Sequence, residues 1–241
     1  MKTTLRAALA LSALVALSGC TKIQDAAGDQ MRAYLLRHPE ILEEMSVKLQ
    51  EKKTLEAAAH AKAAISANRL ALEHDPRDFV ANPNGKITVV EFFDYRCGYC
   101  KASAPTVLKL VQDNPDVRFV FKEFPIFGGP SDLAAKVALT EPAKAKGLDL
   151  FKAFMTDAAL DENGIDQHLT SLGIDATGAK TAAAAPEIAK QLADVRALAA
   201  TLNIEGTPAF IVGDKLIPGA DMPALTQAIA EARSANLKRL G

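Results

Sequence analysis

The chain has 241 residues, 49% of them apolar and 24% charged, with 28 basic against 29 acidic side chains and a formal charge of -1. That length buries one good core and leaves residues over for an appendage. The charges form no long single-sign block, which excludes a basic footprint for DNA or RNA.

Residues 1–19 carry Lys2 and Arg6 and then an apolar run from Ala7 to Leu17, the layout of a secretory signal. The run is short for a bilayer span. It ends in Leu17-Ser18-Gly19-Cys20, small residues before a cysteine, which resembles the lipobox of bacterial lipoproteins. Cys20 is then the lipidated first residue of the mature chain, and Thr21 after it, not an aspartate, points to the outer membrane. An ordinary signal peptide with an incidental cysteine is the competing reading. Apart from Cys20 the chain has only Cys97 and Cys100. A disulfide between two such near neighbours closes so small a loop that it adds little stability, so the pair is there for its reactivity.

From Asp29 to about His74 the pattern is helical. Leu35, Leu42 and Leu49 recur every seven residues, with Ile41 and Met45 beside them, and form an apolar seam. This predicts an N-terminal helical segment over residues 20–78 that assembles a homo-oligomer, a dimer or trimer, through residues 30–60. Packing of the helix back on its own domain is the alternative. Asp75-Pro76 ends the helix and Asn82-Pro83-Asn84-Gly85 is a dense turn signal, which sets the start of the second domain near residue 79. Lys86 to Tyr95 reads as a strand, Lys101 to Asp113 as a helix and Val117 to Phe124 as a second strand, a βαβ unit with parallel strands. An alanine-rich, mostly helical insertion follows over about residues 130–202. The chain returns with strands Ala209 to Val212 and Lys215 to Ile217 and a last helix from Met222 to about Ala235. The fold class is α/β.

Cys97-Gly98-Tyr99-Cys100 falls where the first strand gives way to the helix. Unsatisfied backbone N–H groups and the positive end of the helix dipole stabilise a thiolate there. Cys97 is therefore the attacking thiol. Cys100, one turn on and deeper, resolves the mixed disulfide, and Gly98 and Tyr99 tune the pair. Zinc would need two further Cys or His ligands, and His38, His60, His74 and His168 are isolated in sequence. The expectation is no cofactor beyond a redox-active Cys97–Cys100 disulfide, and no metal.

The run Val90-Glu91-Phe92-Phe93-Asp94-Tyr95-Arg96-Cys97-Gly98-Tyr99-Cys100-Lys101, with Gly206-Thr207-Pro208-Ala209-Phe210 downstream, resembles the DsbA family of bacterial periplasmic disulfide oxidoreductases, and within it is most similar to the copper-sensitivity-suppressor (ScsC-like) and Com1-like members. The resemblance covers residue 79 to the C-terminus and implies a thioredoxin fold interrupted by a helical insertion. It makes Thr207-Pro208 the substrate-binding cis-proline pair facing the redox centre. It also makes Glu91 a buried acid that relays the proton of Cys100, against the alternative of a solvated strand glutamate. It implies exported cysteine-containing proteins as substrates and a membrane redox partner.

Gly98-Tyr99 and the threonine before the cis-proline are more similar to periplasmic disulfide isomerases than to the primary oxidase. The leading expectation is thus a disulfide isomerase or reductase. A dithiol oxidase is the alternative, and a copper-tolerance protein binding Cu(I) through the same thiolates is a third reading.

Overall fold

The computed structural model describes residues 28–240. The signal segment and Cys20 lie outside them. The chain divides into two units, one ending at Glu56 and the other beginning at Ala57. In the first, residues 28–37 form α1, and α2, Glu40–Ala67, begins after Pro39. The break falls at His38-Pro39 because a proline disfavours helical geometry in the residue before it. Among the described residues up to Glu56 none is buried.

The second unit holds a five-stranded sheet of order β1-β3-β2-β4-β5, formed by β1 (Phe79–Ala81), β2 (Ile87–Phe93), β3 (Val117–Glu123), β4 (Ala209–Val212) and β5 (Lys215–Pro218). β2 and β3 run parallel, joined by helix α4 (Gly98–Asp113), and the other three pairings are antiparallel. Sequence reading missed β1, a three-residue edge strand. The Asn82–Gly85 turn leads from it into β2, and its glycine is required: a Cβ on Gly85 would stand 2.4 Å from the Arg118 backbone nitrogen.

The central strands are buried on both faces, and their alternation sorts the core into two clusters. Val89 and Phe93 of β2 and Phe119 and Phe121 of β3 face Val107 of α4 and the aromatic residues Phe151 and Phe154. Val90, Phe92 and Val120 point the other way. That second face is covered by Ile65 near the end of α2, Leu72 of α3 (Arg69–Glu73), and Val195, Leu198 and Ala199 of a later helix.

The alanine-rich stretch forms α5 (Gly129–Ala138), α6 (Glu141–Lys144), α7 (Gly147–Thr156), α8 (Glu162–Ser171), α9 (Ala176–Ala183) and α10 (Pro186–Thr201), and α11 (Met222–Leu240) closes the chain. The insertion falls where the sequence placed it, and α7 and α10 within it line opposite faces of the sheet. One boundary differs from the sequence expectation: the segment expected to end at residue 78 is split, and residues 57–78 belong with the sheet. Burial explains the shift: Ile65 and Leu72 are fully buried, and the Lys122 ammonium of β3 donates to the Ala71 carbonyl at 2.6 Å and pairs with buried Asp78.

Candidate active site

β2 runs straight into the turn that carries the cysteines. Cys97 is the N-cap of α4, in extended geometry, its N–H donating to the Asp94 carbonyl at 3.1 Å and its carbonyl accepting from Lys101 N at 3.0 Å. Both thiols are free and buried, Cys97 marginally accessible and Cys100 fully enclosed in the first turn of the helix. Enclosure pushes the Cys100 thiol far above its ordinary range, since desolvation penalises the thiolate, and the neighbouring charge of Glu91 pushes the same way. The two sulfurs thus sit in unequal surroundings, set by one helical turn.

The chain's distant return supplies the opposite wall. The Thr207–Pro208 peptide bond is cis, and the Cys97 Sγ donates to the Thr207 carbonyl at 3.2 Å. Thr207 Oγ1 is buried without a hydrogen-bond partner. Tyr99 is 73% exposed, and a Cβ on Gly98 would meet nothing within 4 Å, so the dipeptide between the cysteines faces outward and its composition is not dictated by packing.

Glu91 is buried in the middle of β2, on the same sheet face as α4, and neither of its carboxylate oxygens has a hydrogen-bond partner. Burial pushes its pKa up to about 8. A carboxyl group so placed exchanges a proton near neutral pH.

Four further residues bear on the site and carried no role in the sequence reading. The Tyr95 hydroxyl donates to Glu123 Oε1 at 2.8 Å in a fully enclosed pair, and burial raises both groups well above their usual ranges. Lys101 donates to the main-chain carbonyls of Phe154, at 3.1 Å, and Asp157, tying the active-site helix to the end of α7. Desolvation lowers its pKa. Asp94, buried at the end of β2, accepts hydrogen bonds from Arg96 N at 2.6 Å and Ser131 Oγ at 2.8 Å. The resemblance singled out Glu91 alone; the signal available for the others was an acid beside aromatic residues in an apolar run, as with Asp94 between Phe93 and Tyr95 and Glu123 before Phe124.

Comparison with known proteins agrees with this architecture. A family model for the DsbA-like thioredoxin domain matches residues 88–230, and one for the copper resistance protein ScsC N-terminal domain matches residues 24–54. Among solved structures, BcfH of Salmonella enterica Typhimurium is 30% identical with a TM-score of 0.73, over 90% of this chain and 99% of that one. A thioredoxin-like oxidoreductase from Silicibacter pomeroyi DSS-3 is 38% identical with a TM-score of 0.66, over 69% of this chain and 98% of that one. A periplasmic thioredoxin-like protein from Salmonella enterica serovar Typhimurium is 31% identical with a TM-score of 0.59, over 68% of this chain and 94% of that one. The matches to curated proteins span only 30%, 18% and 8% of those proteins' lengths. With a strand-to-helix Cys-Gly-Tyr-Cys turn facing Thr207-Pro208 and a family match over more than half its length, the chain belongs to the DsbA-like thioredoxin domain family.

Proposed function

We propose that the protein is an exported disulfide isomerase or reductase that acts on cysteine-containing proteins in the periplasm, as a homo-oligomer assembled through its N-terminal helices. The observation that carries the exchange chemistry is the asymmetry of the two thiols: Cys97 caps the helix and keeps a slight accessibility, while Cys100 is fully enclosed in the first turn, where the Glu91 charge acts on it.

The steps follow from that asymmetry. The Cys97 thiolate attacks one sulfur of a substrate disulfide, forming a Cys97–substrate bond while the other substrate sulfur leaves as a thiolate and takes up a proton. In isomerisation, a second substrate thiol displaces Cys97 and closes the new bridge. If that displacement is slow, Cys100 gives its proton to the Glu91 carboxylate and attacks the Cys97 sulfur. The substrate then departs reduced, and the Cys97–Cys100 disulfide remains for a membrane partner to reduce. The Thr207 and Pro208 main chain, beside the Cys97 sulfur, is where the substrate backbone lies during attack.

Export follows from the signal-like residues 1–19, with anchoring at the outer membrane through Cys20, and the periplasmic neighbour supports the compartment. Leu42, Met45 and Leu49 are exposed, as an assembly seam requires. Resemblance to isomerases at Gly98-Tyr99 and Thr207 favours the isomerase direction over the oxidase.

The test compares the reduced chain from Thr21 onward with a truncation beginning at Ala57, on a substrate with scrambled disulfides. Starting the truncation at Asp75 would confound the result by removing buried Ile65 and Leu72. Reactivation by the longer form, lost in the truncation while simple disulfide reduction persists, is the expected outcome. Failure of both forms to reactivate, with rapid oxidation of a reduced substrate by the oxidised protein, would make it an oxidase.

A further inference from the structure

Among the described arginine side chains of the second unit, all but one are engaged within the protein. Arg69, Arg77, Arg196 and Arg233 each pair with a carboxylate, and Arg118 donates to the Glu73 carbonyl at 2.6 Å. The exception is Arg96, the residue before Cys97. It is exposed, and among the described residues its guanidinium meets no acid and no hydrogen-bond acceptor; only its backbone N–H is engaged, donating to Asp94 Oδ1 at 2.6 Å.

The acid nearest in sequence is closed to it. The Asp94 carboxylate is buried and already accepts from four uncharged donors: Arg96 N and Ser131 Oγ on Oδ1, and Ile126 N at 2.7 Å and Phe127 N at 3.2 Å on Oδ2. Four such bonds fill the acceptor sites of a carboxylate. Lys101, the other cation of the turn, is held by the Phe154 and Asp157 carbonyls. On the opposite wall Glu205 is exposed two residues before Thr207, and no ion pair joins it to Arg96. An unpaired guanidinium therefore stands next to the attacking cysteine.

A guanidinium presents a planar fork of donors that matches a carboxylate. Neighbouring Cα atoms lie about 3.8 Å apart, and at ~0.1 M salt a charge acts over about 10 Å, so Arg96 acts on groups beside a disulfide bound at Cys97. We propose that Arg96 is a specificity-determining residue that favours disulfides flanked by carboxylates, those in acidic segments of cysteine-containing protein substrates. It selects by charge and makes no bond to sulfur. This proposal rests on the exchange function and narrows its substrate class.

The experiment uses two synthetic peptides with the same disulfide bridge, its cysteines flanked on both sides by Glu in one peptide and by Lys in the other. The second-order rate constant for reduction of each is measured with the reduced full chain, as wild type, Arg96→Gln and Arg96→Glu. Arg96→Gln is expected to lower the Glu-peptide rate relative to the Lys-peptide rate about five-fold at low salt, and Arg96→Glu to lower it further. Salt at about 1 M, where screening sets in within about 3 Å, should shrink the difference between wild type and variants. Because the guanidinium is exposed and unpaired, neither variant removes a contact of the fold. An unchanged ratio in both variants overturns the proposal, and so does an equal loss on both peptides, which a general effect on the Cys97 thiol would give. A wild-type chain that reduces neither peptide would instead overturn the exchange function itself, and this inference with it.

Discussion

The two units handle apolar and charged residues in opposite ways. Up to Glu56 the described residues bury nothing: leucines, two methionines, a tyrosine and a valine stand in solvent on helices otherwise rich in Glu, Lys and Gln. From Ala57 onward the chain hides not only its aliphatic and aromatic residues but also Glu91, Asp94, Glu123 and the Lys122–Asp78 pair. A long helix can hold its backbone hydrogen bonds with its apolar side chains exposed, because those bonds are internal to it. A sheet with both faces covered must instead satisfy or neutralise every polar group it encloses. The first region therefore leaves its apolar side chains exposed in this chain, and the second is a core in which each polar group needs a reason.

The sharpest break between the regions is chemical. Cys97→Ser should reduce exchange by about a thousand-fold or more, since no other described thiol is accessible, while Cys100→Ser should accumulate a mixed disulfide with substrate, visible as an added mass on the intact protein. Next in size is the buried pair. Lys122→Ala leaves Asp78 enclosed without its cation and should cost about 3–5 kcal/mol in denaturant unfolding, a loss no substitution of an exposed ion pair such as Lys48 with Glu51 should approach.

Glu91 supplies a pH test. Its folded-state pKa of about 8 lies above its ordinary 4.5, so the folded protein holds this proton more tightly than the unfolded chain does. The stability tied to that proton is fully present below about pH 4.5 and is lost as pH rises to about 8. Glu91→Gln removes this slope, and the unfolding free energies of wild type and variant from urea titrations should converge towards pH 4.5 and separate in the variant's favour by on the order of a few kcal/mol at pH 8.

The smallest contrast tests where the two units divide. Leu72→Ala should cost about 2–4 kcal/mol, because that side chain is fully buried against the sheet, whereas Leu70→Ala, 77% exposed in the same short helix, should stay within about 0.5 kcal/mol. Equal effects would mean that α3 is not part of the core. Leu42→Glu with Leu49→Glu should leave unfolding of the second unit within that same small range and shift the sedimentation coefficient towards the monomer.

Local pattern carried much of this protein. The alternation of β2 and β3, the Cys-x-x-Cys at a strand-to-helix junction and the Asn82–Gly85 turn are written in neighbouring residues, because period, helix dipole and turn chemistry act over a few positions. The same holds for the heptad of leucines. Tertiary structure decided what depends on enclosure or on distant partners. Only packing shows that Ile65 and Leu72 belong to the sheet, that α10 serves as its second cover, and that Glu123 is paired with Tyr95. The double duty of Asp94 is of the same kind, since residues up to 37 positions apart meet on its two oxygens. A carboxylate in a strand looks the same in sequence whether it faces water or a closed core. Desolvation, a property of everything packed around it, is what separates the two.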